Sequence, residues 1–256
     1  MKKSLLAFMA GALFLAACGN SGSEFIGYWG NARVEIYFEI THNSDNQYYL
    51  SSGGKKEIAI YKDGMLEVDG SKIALDKKTG KMNYKGLELT KLSPKEFAAY
   101  EVKRDERSRN AAAQAILQQI SFAQVALDTS PDENRGYVST DGSTGKPAAA
   151  ELFDLGRFGF RPDPEVAFAI TVAPGGKGFI AIAGHTAKGS IVYIYEYSGS
   201  VFYYDANYRP PANVKLPATL HTYTCSDDRC SKVTQGQART YTRPTGAGHD
   251  GAAKMK

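Results

Sequence analysis

FAAYEVKRDERSRNAAAQAILQQISFAQVAL, residues Phe97 to Leu127, reads as one helix of two characters. From Ala113 onward, Ala113, Ile116, Leu117, Ile120, Ala123, Gln124 and Leu127 recur at the three-to-four spacing that gathers one helix face onto a core. Between Lys103 and Asn110 no side chain is strongly apolar, so that part must be solvated. The start is signalled just upstream in LSPKEF. Ser93 can cap, Pro94 suits the first helical position, and Glu96 three residues after Ser93 completes a capping box. No proline or glycine interrupts the run until DTSP, 128–131, stops it. The helix divides the chain into two regions with different grammar.

Upstream, residues 25–92 read as a β-meander. In RVEIYFEIT, Val34, Ile36, Phe38 and Ile40 alternate with Glu35, Tyr37 and Glu39, the period of a half-buried strand. Short strands follow in YYL, KEIAIYK, MLEV, KIAL, KMNY and LELTKL, with Asp63-Gly64 and Asp69-Gly70 suited to primed hairpin turns. An all-antiparallel sheet or small open barrel is predicted, holding the single tryptophan, Trp29. Downstream, after an irregular stretch from Thr129 to Glu165, four strands are predicted in VAFAITVA, GFIAIAG, SIVYIYEY and SVFYYD. The first has a bulky face (Val166, Phe168, Ile170, Val172) and a small one (Ala167, Ala169, Thr171, Ala173), and either suits the helix. The fold class expected is α+β. Residues 231–256, rich in Gly, Ala, Thr and Lys without an apolar period, read as a disordered tail.

The chain has 256 residues, 43% hydrophobic and 23% charged, which suits one or two compact domains. Its N-terminus, MKKSLLAFMAGALFLAACGN, has the layout of a secretory signal: Lys2 and Lys3, an apolar run from Leu5 to Ala17, then small residues. That run is shorter than the roughly 20 residues of a membrane-spanning helix. Leu15-Ala16-Ala17-Cys18 resembles the lipobox of bacterial lipoproteins. The resemblance implies a signal peptide at 1–17, an acylated Cys18 on a short linker (18–24), and a bilayer as partner. Gly19 after the cysteine, by similarity to enterobacterial sorting, implies the outer membrane. Loss of Lys2 and Lys3 with residues 1–17 lowers the formal net charge from +4 to +2, which is no electrostatic case for nucleic acid. Cys225 and Cys230, an even pair in an exported chain, are expected to form a disulfide.

Two further resemblances carry functional expectations. The 25–92 region, with Gly27-Tyr28-Trp29 near its start, resembles lipocalin-like and other small β-meander domains of bacterial lipoproteins, which implies an interior able to take an apolar small ligand. The order of the helix, a Gly-rich loop, FGFRPDPEVAFAITV, the meander and a terminal cysteine pair is similar to the globular part of type IV pilins and their type II secretion relatives. That resemblance spans Pro94 to Cys230 and makes 93–230 a pilin-like domain, a component or partner of a pilus or secretion apparatus. Pilins, however, carry an apolar half-helix ahead of this one. Here a β-domain and a lipobox stand in its place, and KRDERSRN cannot enter lipid because each buried charge costs several kcal/mol.

No catalytic set is evident. His42, His185, His221 and His249 are scattered without metal-ligand spacing, and in GSTGK, Gly142 and Gly145 stand too close for a phosphate loop. Asp128, Asp132 and Glu133 are more simply helix-end and turn residues than calcium ligands. No cofactor is implied. Tyr193, Tyr195 and Tyr197 share one strand face, with Tyr203 and Tyr204 on its hairpin partner. An outward aromatic patch for protein contacts is one expectation, and aromatic pairing within the sheet is the other.

Overall fold

The computed structural model describes residues 22–131, 136–176, 178–196, 200–204, 207–210, 214–226, 230–232, 239–242 and 252–256. The signal, Cys18, Tyr197, Asp132 and Glu133 lie outside them. The protein is α+β and divides into two compact units, residues 1–102 and 103–256, ten residues beyond the boundary expected from the sequence.

In the first unit eight strands run antiparallel in sequence order: β1 (Gly27–Asn31), β2 (Ile36–Ser44), β3 (Gln47–Ser52), β4 (Lys55–Lys62), β5 (Met65–Val68), β6 (Ser71–Asp76), β7 (Lys81–Tyr84) and β8 (Leu87–Leu92). The sheet closes into a barrel rather than remaining open, because β1 pairs with β2 on one side and β8 on the other, Tyr28 opposite Leu92 and Gly30 opposite Thr90. β1 shows no alternating pattern because one of its positions must be glycine. A Cβ on Gly30 would lie 2.8 Å from Leu92 Cδ1 and 3.2 Å from Tyr37 Cβ. The Asp63-Gly64 and Asp69-Gly70 turns have positive φ at both residues, the primed geometry whose twist matches antiparallel strands. β2 begins later than the RVEIYFEIT pattern suggests: Glu35 turns with φ 56°, and Val34 is 44% exposed.

The barrel interior is filled. Trp29, Ile40, Tyr48, Leu66, Ile73, Met82 and Leu89 are at most 1% exposed and pack on one another. Trp29 Nε1 donates to the carbonyl of Phe25, 2.7 Å away, in the 3-10 turn Ser23–Phe25 that precedes β1.

Helix α1 (Pro94–Thr129) starts with the capping box that the sequence announces: the Glu96 amide donates to Ser93 Oγ at 3.2 Å, and the Ser93 amide donates to the Glu96 carboxylate at 2.8 Å. The two bonds Ser93 donates hold the Glu96 carboxyl below its usual range. Its first turns belong to the barrel unit. Phe97 stacks on Tyr28 at 4.5 Å and Tyr100 on Tyr37 at 5.1 Å, which buries Tyr37 on the outer wall.

In the second unit, the α1 positions from Ala113 to Leu127 that the pattern marks are all buried on a four-stranded antiparallel sheet ordered β12-β11-β10-β9. Its strands are β9 (Val166–Val172), β10 (Phe179–His185), β11 (Val192–Glu196) and β12 (Ser200–Tyr203). The bulky face of β9, with Val166, Phe168 and Ile170, takes the helix. The small face, with Ala167 and Ala169, packs with Ile182, Ile194, Val214, Leu220, Ala253 and Met255.

Covering that second face requires chain, and the C-terminal region supplies it. β13 (Thr219–Leu220), β14 (Tyr223–Cys225), β15 (Cys230–Lys232), β16 (Arg239–Thr242) and β17 (Lys254–Met255) form small sheets, and Val192 donates to the carbonyl of Ala253 at 2.9 Å. The expectation of a disordered 231–256 tail is therefore corrected for 231–232, 239–242 and 252–256, which hold strands, with Ala253 and Met255 at most 2% exposed. A second helix, α2 (Ala148–Arg157), lies inside the stretch that reads as irregular. Among the described residues no helix is long and apolar enough to cross a membrane.

Candidate functional site

The tyrosines on β11 do not form an outward patch. Tyr193 and Tyr195 are 6% and 7% exposed and point into the core shared with α1, because both faces of the sheet are covered and the tyrosine side is the helix side. Tyr195 stacks on Phe179 at 5.4 Å, and Tyr193 stands opposite Tyr203 across the β11–β12 ladder, so the aromatic pairing alternative holds. Burial pushes the Tyr193 phenol above its ordinary pKa, and a hydrogen bond with Gln114 partly offsets this. Tyr203 is partly buried against the same core. Cys225 and Cys230 face each other in the β14–β15 register and form a disulfide.

Three large apolar side chains of α1 are exposed: Val102, 64% exposed in its first turns, and two in its second half. Phe122 is 76% exposed and Val125 43%, three residues apart and so on one helix face. The buried stripe pattern conceals this feature, since both residues read as ordinary members of an apolar helix. Behind the stripe, Gln124 is fully buried. Its amide donates to the Val138 carbonyl at 2.7 Å and accepts from the Val138 amide at 2.9 Å, tying the chain after α1 to the helix.

The loop 136–146 leans on β9. Thr140 donates its amide to the Ile170 carbonyl at 2.9 Å, and the Ile170 amide donates to Thr140 Oγ1 at 2.8 Å. Thr171 Oγ1 donates to Asp141 at 2.6 Å, and the Val172 amide donates to Ser143 Oγ at 2.9 Å. Farther along the same edge, Phe168 and His221 exchange backbone bonds of 2.9 and 3.1 Å. Edge strand β9 is thus covered by its own chain, which removes a template for unwanted pairing. A buried carboxylate pins the loop: Glu151 accepts from the Ser139 amide at 2.6 Å and from Thr144 Oγ1 at 2.9 Å, with Lys146 Nζ 3.7 Å away.

Clefts open on this unit among its described residues. A cleft of about 560 Å³ lies between the 136–144 loop, the β9–β10 turn and residues 214–215, with Asp141, Ser143 and Thr171 among its lining. These polar groups are already engaged: Asp141 accepts from Thr171 Oγ1 and from the Ser143 amide at 2.9 Å, and Ser143 Oγ accepts from the Val172 amide. A second, of about 390 Å³, brings Asp105 and Arg109 of α1 to Asp163, Glu165 and His185. His185 Nδ1 accepts from the Ala187 amide at 3.1 Å, which leaves Nε2 for Glu165, 3.7 Å away. A third, of about 270 Å³, sits between the end of α2 and the disulfide, where Arg161 donates to the Gly156 and Phe160 carbonyls at 2.7 and 2.8 Å. That guanidinium answers the negative end of the helix. Tyr223, packed on Phe168 at 5.0 Å, has its phenol pushed up to about 12 by burial. Among the described residues no three His, Cys, Asp or Glu side chains converge as a metal-ligand set.

Compared with protein-family models, curated proteins and solved structures, the chain matches none.

Proposed function

We propose that this chain is a non-enzymatic, lipid-anchored cell-envelope protein whose second unit is pilin-like and works through protein–protein contacts as a component or partner of a type IV pilus or type II secretion apparatus. One observation carries the reading: the back of a long helix lies across a four-stranded antiparallel sheet, with a cysteine pair bonded near the C-terminal side. The front of the unit's helix agrees with an anchor placed elsewhere. Lys103, Asp105, Arg107 and Ser108 are exposed, and charges of that density cannot lie in lipid. Under this reading Cys18 carries the acyl chains and the outer membrane is the destination. The contact surface is the outward side of α1 at Phe122 and Val125, since Tyr193 and Tyr195 are spent inside the core. The filled barrel interior argues for a packed module over a carrier.

A photocrosslinking residue placed at Phe122, and as control at the exposed Lys188, tests the reading in intact envelopes. The expected result is an adduct at 122, absent at 188, whose partner is identified as a pilin or secretion-machine subunit. An adduct with any other class of protein, or none at 122, overturns it.

A further inference from the structure

We infer that one end of the barrel, the end carrying the 45–46, 63–64 and 77–80 turns, is the face that lies against the lipid headgroups. The inference rests on the reading of Cys18 as the acylated residue. Because all eight strands run antiparallel in sequence order, the start of β1, these three turns and the finish of β8 share one end, and the 32–35, 53–54, 69–70 and 85–86 turns share the other.

The chain enters at the first end and is fixed there. The carbonyl of Gly22 accepts from the Phe25 amide at 3.1 Å. Its φ is +67°, and a Cβ would lie 2.6 Å from Tyr61 Cδ2 and 3.1 Å from Tyr48 Oη. Only glycine fits this entry point. Tyr61 stands next to the last residue of β4 and Tyr48 next to the first of β3, so both rings mark the same end.

Between Cys18 and Gly22 stand only Gly19, Asn20 and Ser21. Four Cα–Cα steps reach at most about 14 Å even when fully extended. Acyl chains in the bilayer hold their cysteine at the interface, so the barrel end at Gly22 stands within that distance of the headgroups. A strand the length of β4 spans about 26 Å, which keeps the far turns away unless the barrel lies on its side. The first turns of α1 run along the wall, Phe97 on Tyr28 and then Tyr100 on Tyr37.

Charge does not drive the contact. Lys62, Lys77, Lys78 and Lys91 at this end stand with Glu24, Asp45, Asp63 and Asp76, and Lys81 is paired with Glu88, so tether length sets the orientation, and salt and anionic lipid leave it unchanged.

The test uses the full acylated chain, its Cys18 modification verified by mass, in phosphatidylcholine vesicles carrying a headgroup spin label. A fluorophore is attached in turn through Lys78→Cys at the near turn, Ile58→Cys on the wall and Lys55→Cys at the far end. Quenching at 78 several-fold above that at 55, with 58 between them and no change on adding anionic lipid, is the expected result. Equal quenching at all three, or the strongest at 58 or 55, overturns the inference while leaving the anchor intact. A chain that carries no acyl group overturns both. A long Gly-Ser insert after Ser21 must abolish the preference for 78 while the chain stays anchored; a preference that survives it overturns the tether argument.

Discussion

The barrel and the helix-backed sheet bury their strands by opposite means. In the barrel each strand hides one row of side chains inside a closed wall and leaves the other row largely to water, as in Lys55–Lys62, where only Ala59 and Tyr61 are buried. In the second unit β9 and β10 are buried at six of seven positions each, because α1 covers one face and the C-terminal strands the other. A closed wall is complete within some seventy consecutive residues of chain and shows itself as alternation. A two-sided sheet depends on segments far apart in sequence, and its strands show only that they are apolar. This difference explains why the tyrosine face and the tail were the readings that failed. Both concern a sheet face whose cover lies far off in sequence: α1, well upstream, over Tyr193 and Tyr195, and the C-terminal residues Ala253 and Met255 over the small face of β9.

The sharpest way to break the comparison is to truncate one core at a time. Leu66→Ala in the barrel and Leu117→Ala under the sheet each remove a fully buried side chain and are expected to cost about 2–5 kcal/mol. In chemical denaturation followed separately for the two units, each variant shifts its own transition only. A single shared transition moved by both would show that the units unfold as one.

The boundary between the units offers the next test. A fragment of residues 22–102 keeps Phe97, 8% exposed on Tyr28 and Tyr37, and a fragment of 22–92 loses it. Burial of one aromatic side chain contributes roughly 1.5–3 kcal/mol, so the shorter fragment is expected to melt lower. Equal midpoints would return the first turns of α1 to the second unit.

The smallest effect is local to the loop along β9. Glu151→Ala leaves the Ser139 amide without its buried acceptor and is expected to cost about 1–3 kcal/mol. Exchange at that amide should quicken while the barrel's transition stays fixed. Unchanged exchange would show that the backbone bonds of Thr140 hold the loop unaided.

Much of the fold was legible. The capping box at Ser93 and Glu96, the stripe from Ala113 to Leu127 and the Asp-Gly turns are local signals, each decided by neighbours within four residues, and each appears where the pattern placed it. β1 was not legible, because Gly30 weakens any strand pattern and is required only once Leu92 has come round to meet it. Helix α2 was hidden by the Gly, Ser and Pro around it, and its Glu151 finds its use only in the distant Ser139 and Thr144. The exposed pair Phe122 and Val125 was hidden for the converse reason, since a buried and an unburied apolar residue look alike in sequence.

By itself, then, the sequence determined the helix, its polar front, seven of the eight strands ahead of it and the four strands behind it, because periodicity and capping act over one or two turns of chain. Tertiary structure alone decided that the barrel closes, that the bulky face of β9 takes the helix and that Tyr193 and Tyr195 lie inside. Those outcomes depend on which distant segment reaches a given surface first and excludes water from it, and no local pattern encodes that.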